Sequence, residues 1–133
     1  MRKQAREYVF KLIFEYLFLK EKNQTGIEEV KPQDLSKSDL QYIENIYNGV
    51  IENYDILYES ISELSAEFKA ERIYKVDLAI LLLSMYEIKY LDDVPDVVSV
   101  NEAVELAKAY STDKSHAFIN GILASYIKNK SKE

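Results

Sequence analysis

The chain has 133 residues, 47% of them hydrophobic and 30% charged, which suits one soluble domain with an apolar core. It contains no Cys, which excludes disulfide scaffolds, zinc-thiolate sites and thiol catalysis, and it has a single His. Its net charge of −6, taken alone, argues against binding to nucleic acid. Three Gly and two Pro supply too few turns for a β-sandwich or barrel, so the composition predicts an all-α protein.

The first predicted helix runs from about Arg2 to Lys22. Its apolar residues recur at spacings of three and four, the pattern of a helix that buries one face. At about 100° per residue, this buried face centres on the direction of Tyr8, Leu12 and Tyr16. Basic and aromatic side chains are predicted to lie opposite this face or beside it: Lys3, Arg6, Phe10 and Phe14.

A linker of residues 23–35 leads to the second predicted helix, which opens at Ser36. A serine followed three residues later by Asp39 suits a helix N-terminus, because both side chains can satisfy exposed backbone N–H groups. A third helix follows a break near residues 53–55 and extends to about Phe68. The fourth, residues 74–90, is apolar on nearly every side through its middle and is therefore expected at the centre of the fold.

The last two predicted helices follow a Val-Pro step at residues 94–95, which a helix does not cross easily. Ser99 and Glu102 have the spacing of a capping box, which predicts the start of the fifth helix. The sixth helix spans residues 114–128. Gly121 lies in its interior, where glycine costs up to ~1 kcal/mol, so we expect a neighbouring helix to pack closely there.

The sequence offers little for catalysis. His116 is adjacent to Ser115, and neighbouring positions on a helix do not face each other, so a serine–histidine pair is not formed. The three glycines are isolated and cannot form a phosphate-binding loop. We therefore predict no enzyme activity, no cofactor and no metal site.

Charge is distributed unevenly along the chain. Residues 1–11 carry +3 and residues 114–133 carry +3, which leaves −12 on residues 12–113. Cations interleaved with aromatic rings are typical of single-stranded RNA binding, because cations meet phosphates and rings stack on bases at ~1–3 kcal/mol each. The other interpretation is that a neighbouring helix or the linker covers Phe10, Phe14 and Phe18, and helix geometry does not separate the two. The Lys-rich C-terminal tail also fits a purely solubilising role.

Several runs of residues resemble the family of the bacterial transcription antitermination factor NusB. The strongest are Val-Asn-Glu-Ala-Val-Glu-Leu-Ala-Lys at 100–108 and Ser-His-Ala-Phe-Ile-Asn-Gly-Ile-Leu at 115–123, after Val-Pro at 94–95. Arg2, the Ala-Arg-Glu at 5–7 and the Met-Tyr-Glu at 85–87 are also similar, in the same order. The resemblance spans nearly the whole chain.

The resemblance implies one NusB-like domain over residues 1–133, built of about six helices in two three-helix bundles, with halves at about 1–70 and 71–133. It implies a non-catalytic, cytoplasmic protein that pairs with the ribosomal protein NusE. Together they would bind the boxA element of nascent RNA, notably from rRNA operons, within an RNA polymerase antitermination complex. No apolar run approaches the ~20 residues of a membrane span, and the N-terminus lacks the cleavage site of a secretory signal.

The resemblance also implies the site residues. RNA contact is expected from the N-terminus, the first helix and the start of the sixth, at Arg2, Lys3, Arg6, Phe14, Lys114 and Phe118. Asp77 is expected to contact NusE. Two departures from the family pattern affect this surface: Lys114 replaces a common acidic residue, and Phe14 replaces a more usual Tyr, which keeps stacking but loses a hydroxyl.

Two other functions stay open from the sequence. The chain could be a helical protein–protein adaptor without RNA binding, or a stand-alone relative of the NusB-like RNA-binding domain of rRNA cytosine methyltransferases. Because Arg6 is predicted to lie off the buried face, Arg6→Ala is expected to weaken RNA binding with little change in stability.

Overall fold

The computed structural model describes residues 2–28, 35–65 and 70–130. These residues form seven α-helices and one short 3-10 helix at Ala70–Arg72, which confirms the all-α prediction. The helices are α1 (Arg2–Leu19), α2 (Gln24–Glu28), α3 (Lys37–Glu52), α4 (Tyr54–Leu64), α5 (Lys75–Tyr90), α6 (Asp96–Tyr110) and α7 (Ser115–Lys130). None of these helices combines the length and the apolarity that a membrane-spanning segment requires.

The central position of α5 follows from its composition. Every residue from 77 to 88 is buried, so the helix needs neighbours on all sides. It packs against α1 and α3 on one side and against α6 and α7 on the other, and α4 contacts both α5 and α7. Helices α5, α6 and α7 form a three-helix bundle, and α1 joins α3 to this bundle.

The start of α3 confirms the predicted cap. The Asp39 backbone N–H donates to Ser36 Oγ at 3.1 Å, and the Ser36 backbone N–H donates to Asp39 Oδ2 at 3.4 Å, which completes a capping box. The linker before it contains the unpredicted helix α2. The Tyr8 hydroxyl fastens this helix to α1 by donating to the Gly26 carbonyl at 2.7 Å.

The predicted start of α6 is wrong. The helix begins at Asp96, directly after Pro95, whose fixed φ of −59° precedes a helix without strain. Ser99 therefore lies inside α6, buried, and its hydroxyl donates to Glu87 on α5 instead of capping the helix. The spacing of Ser99 and Glu102 matches a capping box, but the role of this serine is determined by its tertiary partner, Glu87.

Two expectations at the chain's C-terminal end have different outcomes. Gly121 is exposed, and a Cβ there would have no neighbour within 4 Å, so the predicted close approach of another helix is wrong. Lys130 extends from α7 to the end of α5, where its ammonium donates to the Ile88 carbonyl at 2.6 Å. A cation at a helix C-terminus is favourable, so this part of the tail stabilises the fold. Phe68 and Lys132 lie outside the described residues.

Candidate RNA and partner interface

Aromatic side chains form a row along one side of α1. From Tyr110 on α6, neighbouring ring centroids are 5.3 Å apart to Phe10, 6.4 Å to Phe14 and 4.9 Å to Phe18. Along α1 exposure rises from one ring to the next: Phe10 is buried, Phe14 is half-buried and Phe18 is 55% exposed. The row therefore begins as core packing against α6 and ends as an accessible aromatic surface.

Lysines lie over both ends of this row. The Lys11 ammonium is 5.4 Å from the Tyr110 ring centroid, and the Lys75 ammonium is 5.6 Å from the Phe18 ring centroid. A cation over an aromatic face is attracted by the ring quadrupole and still presents its charge to solvent. The Phe18 end of the row thus offers a ring and a positive charge together, whereas Lys11 at the other end is paired with Glu7.

Arg2 lies beyond the row, at the start of α1. Its Nε donates to Asp39 Oδ1 at 3.0 Å, its Nη2 donates to Ser38 Oγ at 3.1 Å, and its guanidinium lies 4.3 Å from the Tyr42 ring centroid. Its side chain is 39% exposed, so the guanidinium is oriented by α3 and also accessible. Lys3, the next residue, is exposed at the mouth of a small cavity of about 140 Å³ between α1 and α6.

Arg6 does not point to solvent, and the expectation that it lies off the buried face is wrong. It is 5% exposed, and its Nε donates to both carboxylate oxygens of Glu87, at 2.9 and 3.2 Å. The buried face of α1 follows Ala5, Val9 and Ile13, and this direction brings Arg6 and Phe10 inside. Arg6→Ala therefore cannot leave the stability of the fold unchanged.

Glu87 is the centre of a buried polar network. Besides Arg6, its carboxylate accepts from the Tyr42 hydroxyl at 2.6 Å and from the Ser99 hydroxyl at 3.0 Å. Burial, followed by the negative charge of Glu87, raises the pKa of Tyr42, so its phenol is a donor at neutral pH. Although burial opposes it, the neighbouring Tyr42 and Glu87 raise the pKa of Arg6. The network joins α1, α3, α5 and α6 at one carboxylate.

A groove of about 610 Å³ lies between the start of α5 and the start of α7. Lys114 is exposed at its edge and Phe118 is half-buried in its wall, so the structure brings these two predicted RNA contacts together. Tyr74, which is 67% exposed, lines the same groove. Its chain neighbour Lys75 is the cation over Phe18, so the start of α5 borders both the groove and the aromatic row.

Asp77 lines this groove but is only 3% exposed. Its two carboxylate oxygens accept from the Ser111 hydroxyl at 2.5 Å and the Ser115 hydroxyl at 3.0 Å. Ser115 Oγ also accepts from the Thr112 backbone N–H at 3.3 Å. Asp77 therefore fixes the turn between α6 and α7, and its side chain has little surface left for direct contact with a partner.

The sequence missed three residues of this surface. Phe18 follows Phe14 by one helical turn, and that spacing could have added it to the predicted set. Tyr74 and Lys75 had no such signal, because their positions depend on how the start of α5 packs beside the end of α1. Within residues 2–28, 35–65 and 70–130, no group of acidic or His side chains could hold a metal ion.

The chain is similar to known proteins over nearly its whole length. A model of the NusB family matches residues 3–128. The transcription antitermination protein NusB of Acetivibrio thermocellus is 42% identical over 130 residues, covering 97% of this chain and 90% of its own length. That of Clostridium novyi is 40% identical over 130 residues, covering 96% of this chain and 98% of its own length.

Solved structures show the same fold. NusB of T. maritima superimposes with a TM-score of 0.88 and 30% sequence identity, covering 96% of this chain and 91% of the other. A chain in the crystal structure of the antitermination factors NusB and NusE in complex with dsRNA superimposes with a TM-score of 0.82, covering 96% of each chain. At 21% identity, the second likeness speaks for the fold alone.

Proposed function

This chain belongs to the NusB family, and we propose on that basis that it binds RNA together with a NusE partner as a transcription antitermination protein. The RNA class we propose is the single-stranded boxA element of nascent transcripts, notably from rRNA operons, read within an RNA polymerase complex. Family membership supports antitermination. The surface of α1, α5 and α7 supports the assignment of residues.

The observation that carries the RNA assignment is that accessible cations and rings lie along α1 and at the start of α7. Cations at Arg2, Lys3 and Lys114 can meet phosphates, while Phe14 and Phe18 offer rings to unpaired bases. Phosphate contacts set affinity and make it dependent on salt, whereas stacking tolerates many sequences. Sequence preference therefore requires contacts beyond these rings, which a bound partner protein would contribute.

Phe118 and Tyr74 give the groove an apolar wall beside its charged edge, an arrangement suited to a protein partner as well as to RNA. We assign the NusE contact to the exposed wall of the groove. Asp77 acts on it indirectly, by fixing Ser111 and Ser115 behind that wall. Arg6 has the equivalent indirect role for RNA, because its ion pair with Glu87 holds α1 in place.

The test is fluorescence anisotropy of a labelled boxA-like RNA against a scrambled RNA, with and without NusE, at two salt concentrations. We expect selective binding that NusE strengthens, with a log–log salt slope of about −2 to −3. Binding of both RNAs with equal affinity, or of neither in the presence of NusE, would contradict the proposal.

Matched variants distinguish the loss of an RNA contact from an unspecific effect of changing an exposed side chain. Phe18→Ala should weaken RNA binding by about fivefold or more, from the loss of one stacked base. Ile56→Ala is its control, because Ile56 is similarly exposed, at 51%, on α4. Lys114→Gln should weaken binding and reduce the salt slope by about 1, whereas Lys89→Gln, at the far end of α5, should do neither.

The exposed rings also fit the protein adaptor that the sequence left open. Phe18 and Tyr74 would then be buried by a partner protein and would not contact RNA. NusE binding without any RNA binding by the complex, with NusE affinity lowered by Phe18→Ala, would favour this second function.

A further inference from the structure

Tyr86 differs from the other buried tyrosines of the core. Tyr42 and Tyr47 are 5% and 0% exposed, and the hydroxyl of each is in a hydrogen bond, to Glu87 and to the Asn23 backbone N–H respectively. Tyr86 is 8% exposed, yet its hydroxyl makes no hydrogen bond within the part of the chain that the structure describes. The hydroxyl itself reaches solvent, whereas Asn48 Oδ1 on α3 is buried and has no donor among the described residues, which calls for an explanation.

The hydroxyl of Tyr86 faces a groove of about 360 Å³ on the outer side of α3. Its ring crosses α3 at Gly49, where a Cβ would lie 2.1 Å from the phenolic oxygen. Only a glycine at position 49 lets the Tyr86 ring pass across α3, so that its hydroxyl lies in the groove. One turn further along α5, the Tyr90 hydroxyl donates to Asn53 Oδ1 at 3.1 Å.

The other lining side chains are oxygen acceptors from one stripe of α3. Two are carboxylates and three are amides, at helical spacing: Gln41, Glu44, Asn45, Asn48 and Glu52. Burial, and then the charges of Tyr90 and Glu52, raise the pKa of Tyr86, which agrees with a carboxylate close to the phenol. Neither Glu44 nor Glu52 forms an ion pair with another described residue.

The chain around the groove is strongly acidic. Residues 38–65, which form most of α3 and all of α4, contain six Asp and Glu and no Lys or Arg, so this part of the chain attracts cations. Tyr86 is nine residues after Asp77 on α5, about 14 Å along the helix axis. The acidic groove is therefore separate from the groove at the other end of that helix, which Lys114 and Phe118 line.

We propose that this α3 groove binds an arginine side chain from a basic segment of a protein partner. A guanidinium has five donors in a plane and no acceptor, which matches two carboxylates, several amide oxygens and a phenol arranged along one stripe. Lysine offers three donors from a point charge and fits such a spread of acceptors less well. The groove would let the chain hold a basic protein while its RNA surface stays free.

The experiment is an NMR titration of the full chain with hexaarginine amide, following the side-chain amide signals of α3. We expect saturable shifts at Asn45 and Asn48, and hexalysine amide binding several-fold more weakly. Glu52→Gln and Tyr86→Phe should each weaken hexaarginine binding by about threefold or more. Tyr86→Phe leaves the charge unchanged, so its effect cannot come from net charge.

Glu59→Gln is the matched control, because it removes the same charge from an exposed position on α4 outside the groove. It should change the affinity by less than about 1.5-fold. Equal losses in Glu52→Gln and Glu59→Gln, or no loss in Tyr86→Phe, would overturn the proposal. Shifts of the same amides by polyuridylate RNA would overturn it in favour of RNA. The outcome is independent of the RNA tests, whose variants lie on other surfaces.

Discussion

The ion pair between Arg6 and Glu87 predicts a large effect on stability where the sequence predicted almost none. We consider Arg6→Met and Glu87→Met, which keep most of the side-chain volume, and the double variant. The two side chains are 6% and 1% exposed, so solvent cannot replace a partner that is removed. Losing one side of a buried pair typically costs about 3–5 kcal/mol, because the other charge stays buried without compensation.

Arg6→Met should lie at the lower end, at about 3 kcal/mol, because Glu87 keeps the Tyr42 and Ser99 hydroxyls as donors. Glu87→Met should cost about 4 kcal/mol, because it leaves a buried guanidinium and two hydroxyls without their acceptor. The double variant removes both charges, so its cost should be well below the sum. We expect a coupling of about 3 kcal/mol.

Urea unfolding followed by far-ultraviolet circular dichroism at pH 7 measures all three free energies. Lys11→Met is the control, since Lys11 pairs with Glu7 at 3.6 Å and is 58% exposed. It should change the free energy of unfolding by no more than about 0.5 kcal/mol. Single-variant costs below about 1 kcal/mol, or additive costs in the double variant, would refute the reasoning.

Three further predictions concern glycine, aspartate and tyrosine positions. Gly121→Ala should stabilise the fold by about 0.5–1 kcal/mol, because a Cβ there meets no neighbour. Gly49→Ala should destabilise the fold by at least about 1 kcal/mol, because its Cβ clashes with Tyr86. Thermal unfolding of both variants tests these opposite signs. Asp77→Ala should cost about 2 kcal/mol, since the buried Ser115 hydroxyl and the half-buried Ser111 hydroxyl lose their acceptor, and unchanged urea unfolding would contradict that role. Burial and its glutamate neighbour raise the pKa of Tyr42, so its contribution is complete below about pH 10 and is lost at higher pH. Stability should fall above that pH, and Tyr42→Phe should make the fall shallower.

Helix periodicity predicted most of the fold because it depends on local spacing. Helix α3 and its cap at Ser36 and Asp39 were predicted from a motif four residues long, and the central helix from its continuous apolar run. Ser99 had an equally good local motif and a different outcome. Its hydroxyl is buried against Glu87, and a tertiary acceptor of this kind leaves no trace in local spacing.

The site was predicted less well because its charges are partnered at long range. An arginine on an amphipathic pattern is normally read as exposed, and Arg6 is buried only because Glu87, 81 residues later, lies beneath it. Asp77 was expected at an interface and is instead satisfied by serines that follow α6. Lys114 and Phe118 were four residues apart on one helix, and the structure places them on one groove.

The convergence of four helices on Glu87 also constrains how the chain is made. Arg6 is synthesised early, but its partner is 81 residues further on, and Ser99 follows 12 residues after that. At a translation rate of about 5–20 residues per second, Glu87 is synthesised about 4–16 s after Arg6. During that interval the apolar face of the N-terminal helix and its arginine stay uncovered. The nascent chain is therefore most open to chaperones before the central helix has left the ribosome.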